Sequence, residues 1–273
     1  MKKAIAAVII PLLILSFSGI TSCKNRPEKK ENKIMKDQKG IIEDQIQKNV
    51  YPIPTSADVI KMLTELEVGY NLGISNDVDN AKKYYTNATR SINLGVYGSD
   101  LSYATLYNMD QKVIDYMDAI RTIANDLNMA QIYDAPLYDS IKKHFDDKDK
   151  LVKILTGAFD ATYVYMSDND QQVLALLVVG GAWVEGMYLT CNVNEAAYSV
   201  YGIAKVLIEQ KKSFDFFMDI TKPYMEDPFL SDFIKTLEPI KNVYAGLTSS
   251  LTDQNIKDIT AAMFIIRNKI VTP

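Results

Sequence analysis

The sequence predicts an all-α protein, a bundle or helical-repeat-like array of about nine to ten antiparallel helices. Three observations carry this. From residue 51 onward, apolar side chains recur at three- and four-residue spacing, the period of a helix with one buried face. Ser, Thr, Asn and Asp stand ahead of those stripes, where their side chains can accept from the unpaired N–H groups of a first turn. No segment shows the period-two alternation of a half-buried strand.

Tyr51-Pro52-Ile53-Pro54 is extended, since each proline turns its predecessor away from the helix. Thr55-Ser56-Ala57-Asp58 reads as a capping box ahead of Ile60, Leu63, Leu66 and Tyr70. Asn76-Asp77 caps a second helix towards Leu94, and Ser99 opens a short third. Asn108 opens a fourth, with Val113, Met117, Ile120, Ala124 and Leu127 in one stripe. Asp134-Ala135-Pro136 leads into a short helix that contains His144. Asp146 or Asp147 caps the next, with Leu151, Ile154, Ala158, Thr162 and Tyr165 on its face. A capping box at Ser167-Asp168-Asn169-Asp170 opens Gln171 to Leu189, and Asn194 opens a helix reaching Lys211. Asp227 precedes Pro228, a proline suited to the first helical position. Phe233, Leu237, Ile240, Tyr244 and Leu247 follow in one stripe, which Pro239 must kink or interrupt. Thr252 starts the last helix, faced by Ile256, Ile259, Met263, Ile266 and Ile270.

Two features stand apart. Val173 to Cys191 is 19 residues long and carries one charge, Glu185, so it approaches the length of a membrane span. A carboxylate in lipid is costly and the flanks are acidic, so a helix buried on all sides within a bundle is the expectation. Gly95-Val96-Tyr97…Leu101…Asn108 also shares its spacing with Gly181-Ala182-Trp183…Met187…Asn194 at an offset of 86. Identities are few and coincidence accounts for them. Related halves would meet near residues 135–147.

The beginning of the chain points to a location. Lys2 and Lys3 precede an apolar stretch from Ala4 to Phe17 that is short and broken by Pro11, the layout of a signal peptide over residues 1–22. Ile20-Thr21-Ser22-Cys23 resembles a bacterial lipobox, with Ile for the usual Leu and Ser22 for the usual Ala or Gly. The resemblance implies cleavage before Cys23 and its acylation, and several acyl chains anchor where one is marginal. Lys24 follows in place of Asp, which implies the outer rather than the inner membrane. Residues 24–50 hold eight basic and five acidic residues, too polar to bury a core, and read as a flexible tether. Residues 51–273 then form a single helical domain.

Composition excludes several classes. The chain has 30 basic and 34 acidic residues, a net charge of −4, and four arginines (Arg26, Arg90, Arg121, Arg267). No electrostatic footprint for nucleic acid results. One histidine and two cysteines cannot build a usual zinc, haem or iron–sulfur site, so no metal or cofactor is expected. His144 has no partner carboxylate at helix-face spacing and reads as a C-terminal helix residue. The acidic runs Asp146-Asp147-Lys148-Asp149 and Asp168-Asn169-Asp170 lack the spacing of a calcium loop and read as caps. Cys191, left alone once Cys23 is acylated, reads as a small buried hydrophobe.

Glu185 is the sharpest oddity. Set between Trp183 and Met187 among Gly and aliphatic residues, it is expected to be buried, and a buried carboxylate needs a partner or a proton. Arg90 and Arg121, on neighbouring helices, are the expected partners. Alternatively, Glu185 floors a cleft with Trp183, Tyr97 and Asp100 nearby. The segments Asn93-Leu94-Gly95-Val96-Tyr97-Gly98-Ser99-Asp100-Leu101-Ser102-Tyr103 and Ala182-Trp183-Val184-Glu185-Gly186-Met187-Tyr188-Leu189 resemble uncharacterised helical lipoproteins found in some Gram-negative bacteria. That resemblance implies a helical fold and an envelope location, and no activity.

The functional expectation is a membrane-anchored, non-enzymatic module binding an unknown envelope protein. A small-molecule or glycan-binding lipoprotein with an aromatic and carboxylate cleft is the alternative, and a carboxylate-dependent hydrolase a third. Replacing Cys23 by Ser should abolish acyl labelling of the chain in cells fed a labelled fatty acid and leave the precursor uncleaved; normal labelling would end the lipobox reading.

Overall fold

The computed structural model describes residues 70–71, 73–192, 203–247 and 252–273, without the side chains of 203–206 and 208. The expected lipobox and tether, the helix expected after Thr55 and the cap expected at Asn194 lie outside the described residues. Within them the fold is all-α, with no strand. Nine helices are described: α1 Asn87–Leu106, α2 Asp110–Asp126, α3 Ala135–Lys143, α4 Lys148–Asp168, α5 Gln172–Cys191, α6 Ile203–Thr221, α7 Pro228–Thr236, α8 Glu238–Ala245 and α9 Asp253–Val271. Two 3-10 turns, Val78–Lys83 and Lys222–Tyr224, complete the order.

Most starts follow from capping chemistry. Asp134, Asp147 and Asp227 each accept from the first-turn N–H groups of α3, α4 and α7. Thr252 and Asn255 form a reciprocal capping box at α9. Pro239 sits in the first turn of α8, and Leu237 is both the end of α7 and the start of α8.

Four boundaries differ from expectation. Asp77 caps only a 3-10 turn. The helix begins later, at a capping box made by Thr86 and Thr89, and runs straight through Ser99. Gly98-Ser99 is no break because the Ser99 hydroxyl donates to Ala182 O at 2.9 Å on a neighbouring helix, so it does not compete with its own backbone. Asn108 is not an N-cap, and the run Ser167-Asp168-Asn169-Asp170 makes no capping box for α5; Asn108 and Asp170 instead serve the helices before them. With Asn128 they adopt left-handed φ of 54–61° and close the preceding helix. In all three cases the next N–H reaches back five residues, Met109 to Ala104, Met129 to Ala124 and Gln171 to Met166. This is the Schellman closure, which Asn and Asp serve as readily as they serve an N-cap. On α4 the buried face is Leu151, Leu155, Phe159, Thr162 and Met166; Leu151 and Thr162 are as expected, while Leu155, Phe159 and Met166 each stand one residue, about 100° around the helix, after Ile154, Ala158 and Tyr165.

Helix α5 is the hub. Of its apolar window, 89% is buried inside the protein, as expected for a core helix; among the described residues it alone is long and apolar enough to cross a membrane. Helix α9 runs antiparallel to it, Phe264 meeting Tyr188 and Arg267 meeting Glu185 further along. Helix α6 is antiparallel too, with Phe214 on Trp183 and Phe217 at Gly180. Helix α1, by contrast, is parallel to α5. Asn87 lies near Gln172 at one end, and Ser99 bonds Ala182 further up. The expectation of antiparallel neighbours throughout fails at this central pair.

The parallel pair touches backbone to backbone. A Cβ on Gly95 would stand 2.0 Å from Val178 O, and one on Gly181 2.0 Å from Ile92 O. Gly95 and Gly181 are 86 positions apart, and so are Ile92 and Val178. The crossing is therefore reciprocal, with the same positions meeting across a local two-fold axis. The two helices are also equal in length, 20 residues each. Gly95→Ala or Gly181→Ala should cost about 3 kcal/mol or more, since backbone cannot move aside as a side chain can. Gly157→Ala, in α4 with nothing within 4 Å, should instead gain about 0.5–1 kcal/mol. Urea melts of the three variants check both signs.

Candidate functional site

Above the crossing, α1, α5 and α9 bring three ionisable groups together. Glu185 and Asp100 are fully buried and Arg267 nearly so. Arg267 grips Glu185 with two N–H groups, Nε to Oε2 at 3.0 Å and Nη2 to Oε1 at 3.3 Å, and lies over the Tyr188 ring at 4.7 Å. A two-pronged guanidinium clamp with a cation–π face is the arrangement that offsets the cost of burying charge. Asp100 Oδ2 accepts from the backbone N–H of Asn76 at 3.0 Å.

A polar seam continues from this cluster to the end of α9. The Asn76 side chain donates to Tyr84 at 3.0 Å and to Asn93 Oδ1 at 3.4 Å. Asn93 donates to Ile270 O at 2.9 Å, and Tyr84 to Val271 O at 2.8 Å. The last carbonyls of a buried helix end thus find donors that no further turn could supply. Burial pushes the Tyr84 hydroxyl up to about 12, so it remains a donor at any physiological pH.

Glu185, Trp183, Tyr97 and Asp100 all lie in the core, and Glu185 and Asp100 meet. Trp183 and Tyr97 are occupied elsewhere: Trp183 Nε1 donates to Gln210 at 3.0 Å, and the Tyr97 hydroxyl to Asp77 O at 2.6 Å. The expected arginines are a correction. Arg90 pairs with Asp126 at 2.9 Å at the surface, and Arg121 lies exposed over Tyr138 at 5.5 Å. Arg90 is ten residues below Asp100 on α1, about 15 Å along the axis, beyond the reach of its side chain. The true partner, Arg267, carries its own signal. It stands four residues after Met263 and three before Ile270, inside the apolar face of α9. Asn76, Asn93 and Tyr84 had no such signal.

Two remaining candidates are structural. His144 ends α3, with Nδ1 at 2.7 Å from Ser140 O. Cys191 is buried beside Thr260, and burial pushes its thiol up to about 12, far from a reactive thiolate. Among the described residues, no three His, Cys, Asp or Glu side chains converge on a metal position.

Below the crossing the protein is open. A hollow of about 480 Å³ lies where α1, α5 and α7 begin, lined by Asn87, Ala88, Asp170, Gln171, Gln172, Val173, Leu174, Tyr224, Asp227 and Phe229. Thr86 and Asp227 cap α1 and α7, but Gln171 makes no side-chain cap on α5. Phe229 is 55% exposed on the rim, and Met225 beside Tyr224 is 37% exposed. Aromatic faces, amides, carboxylates and uncapped N–H groups thus meet at an accessible concavity. None of the six residues singled out from sequence lines it.

Comparison with known proteins gives no match: no family model, no curated protein and no solved structure is similar to this chain. Its function is therefore read from its own residues. Breaking the buried clamp should be severe. Arg267→Met should cost about 3–5 kcal/mol by leaving the buried Glu185 charge without its cation, whereas Arg90→Ala should cost less than about 1 kcal/mol. Thermal melts separate the two; equal costs would return Arg90 to consideration.

Proposed function

We propose that the protein is a non-enzymatic binding lipoprotein of the cell envelope, held at the outer membrane through acylated Cys23 and taking a small molecule or glycan segment in the hollow below the α1–α5 crossing. The lipobox and the polar tether support the location. The hollow supports the binding role. It is within the size range of ligand sites. Tyr224 and Phe229 offer flat apolar faces, and Asn87, Gln171, Asp170 and Asp227 offer donors and acceptors around them. No cation lines it, so an uncharged hydroxylated ligand suits it better than an anion.

A second reading, capture of an envelope protein, is favoured by one observation. Phe264 and Ile265 stand side by side on the outer face of α9, 53% and 59% exposed. The two readings part on mutation. Titration calorimetry of the full chain with soluble chitotetraose and maltotetraose should give saturable heat, weakened about tenfold or more by Phe229→Ala with Tyr224→Ala, a loss of about 1.4 kcal/mol. Phe264→Ala with Ile265→Ala should leave it unchanged. Saccharide binding lost only in the α9 variant would overturn the placement. No heat with any saccharide, together with a cross-linked envelope protein lost in that variant, would favour the second reading.

A further inference from the structure

The buried cluster holds two carboxyls and one guanidinium. Both oxygens of Glu185 accept from Arg267, so Glu185 is the ionised partner of the clamp. Asp100 is different: Oδ2 accepts one N–H, while the buried Oδ1 meets no donor. The Asp100 and Glu185 carboxyls are nevertheless neighbours within the buried cluster. Two carboxylates in contact offer only acceptors, and a second buried negative charge would have no cation of its own.

The groups facing Asp100 supply none. From its own helix come Tyr97 and Tyr103, from the preceding segment Tyr70 and Asn76, and from α2 Tyr116. From α5 come Glu185 and Tyr188, and from α9 only Arg267, already committed. We propose that Asp100 keeps its proton at neutral pH and donates it to Glu185, so that the cluster is neutral overall, and that this proton clasps α1, α5 and α9 together. Burial, with the Glu185 carboxylate next in weight, holds the Asp100 carboxyl well above the usual carboxylate range, in accord with the geometry.

The consequence for stability has a definite sign. The folded state holds a proton that the unfolded chain releases above about pH 4. Stability from this group is therefore complete at acid pH and falls as pH rises towards the folded-state pKa. Across that window the unfolding constant should rise about tenfold per pH unit relative to a variant that lacks the titration. Asp100→Asn is that variant, since its amide copies the protonated acid, accepting from Asn76 and donating to Glu185.

Two measurements test the proposal on the full chain. Carbon-13 spectra of the side-chain carboxyls at neutral pH should show one aspartate at the position of a protonated acid, absent in Asp100→Asn. Melting curves against pH should diverge, the Asn variant gaining on the wild type as pH rises. An Asp100 resonance at the carboxylate position, a protonated glutamate in its place, or parallel pH curves would each overturn it. The spectrum of the wild type decides even if the variant fails to fold.

Discussion

The reciprocal crossing of Gly95 and Gly181 sets the distances in the rest of the fold. Two helices can touch backbone to backbone only where neither carries a Cβ, and here each glycine faces a carbonyl of the other helix at a separation no side chain could share. Contact this close leaves α1 and α5 no freedom to slide, since every neighbouring position carries the Cβ that the contact excludes. Gly180 extends the same device outward, giving Phe233 of α7 and Phe217 of α6 a flat place to lie on α5.

Helices that cross must also diverge, and the two sides of the crossing are filled differently. Glu185 is four residues above Gly181, about 6 Å along the axis, and Asp100 five above Gly95. There the gap is closed by α9, whose Arg267 enters from a third direction. Asn87 is eight residues below Gly95, about 12 Å away, and on that side the gap stays open as the hollow. One constraint therefore accounts for both the sealed cluster and the accessible concavity. The cluster above ties a third helix to the crossing pair, and the surface below stays accessible.

How far this was legible depends on the range of each interaction. Capping and periodicity act over a few residues, so Asp227, Thr252, a cap at Asp146 or Asp147, the helix after Asp134 and the stripe from Val113 to Leu127 could be read from the chain directly. Asn108 and Asp170 misled because a short polar side chain serves both a helix start and a left-handed helix end, and only the backbone distinguishes them. Burial of Glu185 followed from its neighbours. Its partner did not, because Arg267 is 82 residues away and reaches it only once α9 has docked antiparallel to α5. The spacing shared at an offset of 86 was visible, but its meaning was not: what matters is that equivalent positions face each other, and only the parallel packing shows that.

Composition alone cannot separate α5 from a membrane span, since length, hydropathy and small residues agree with either. Glu185 separates them on energetic grounds. In lipid it would need a partner carried on another spanning helix. Here that partner comes from α9, an amphipathic helix with Lys257, Asn268 and Lys269 on its outer side and Arg267 turned inward. A guanidinium is more weakly hydrated than an ammonium, and here it also lies over the Tyr188 ring, so its transfer to the core costs less than that of a Lys. The same guanidinium gives both its bonds to Glu185 and none to Asp100. The mixture of a close apolar crossing and a tightly counted polar seam is what an α-helix of this composition requires to sit inside a protein rather than a bilayer.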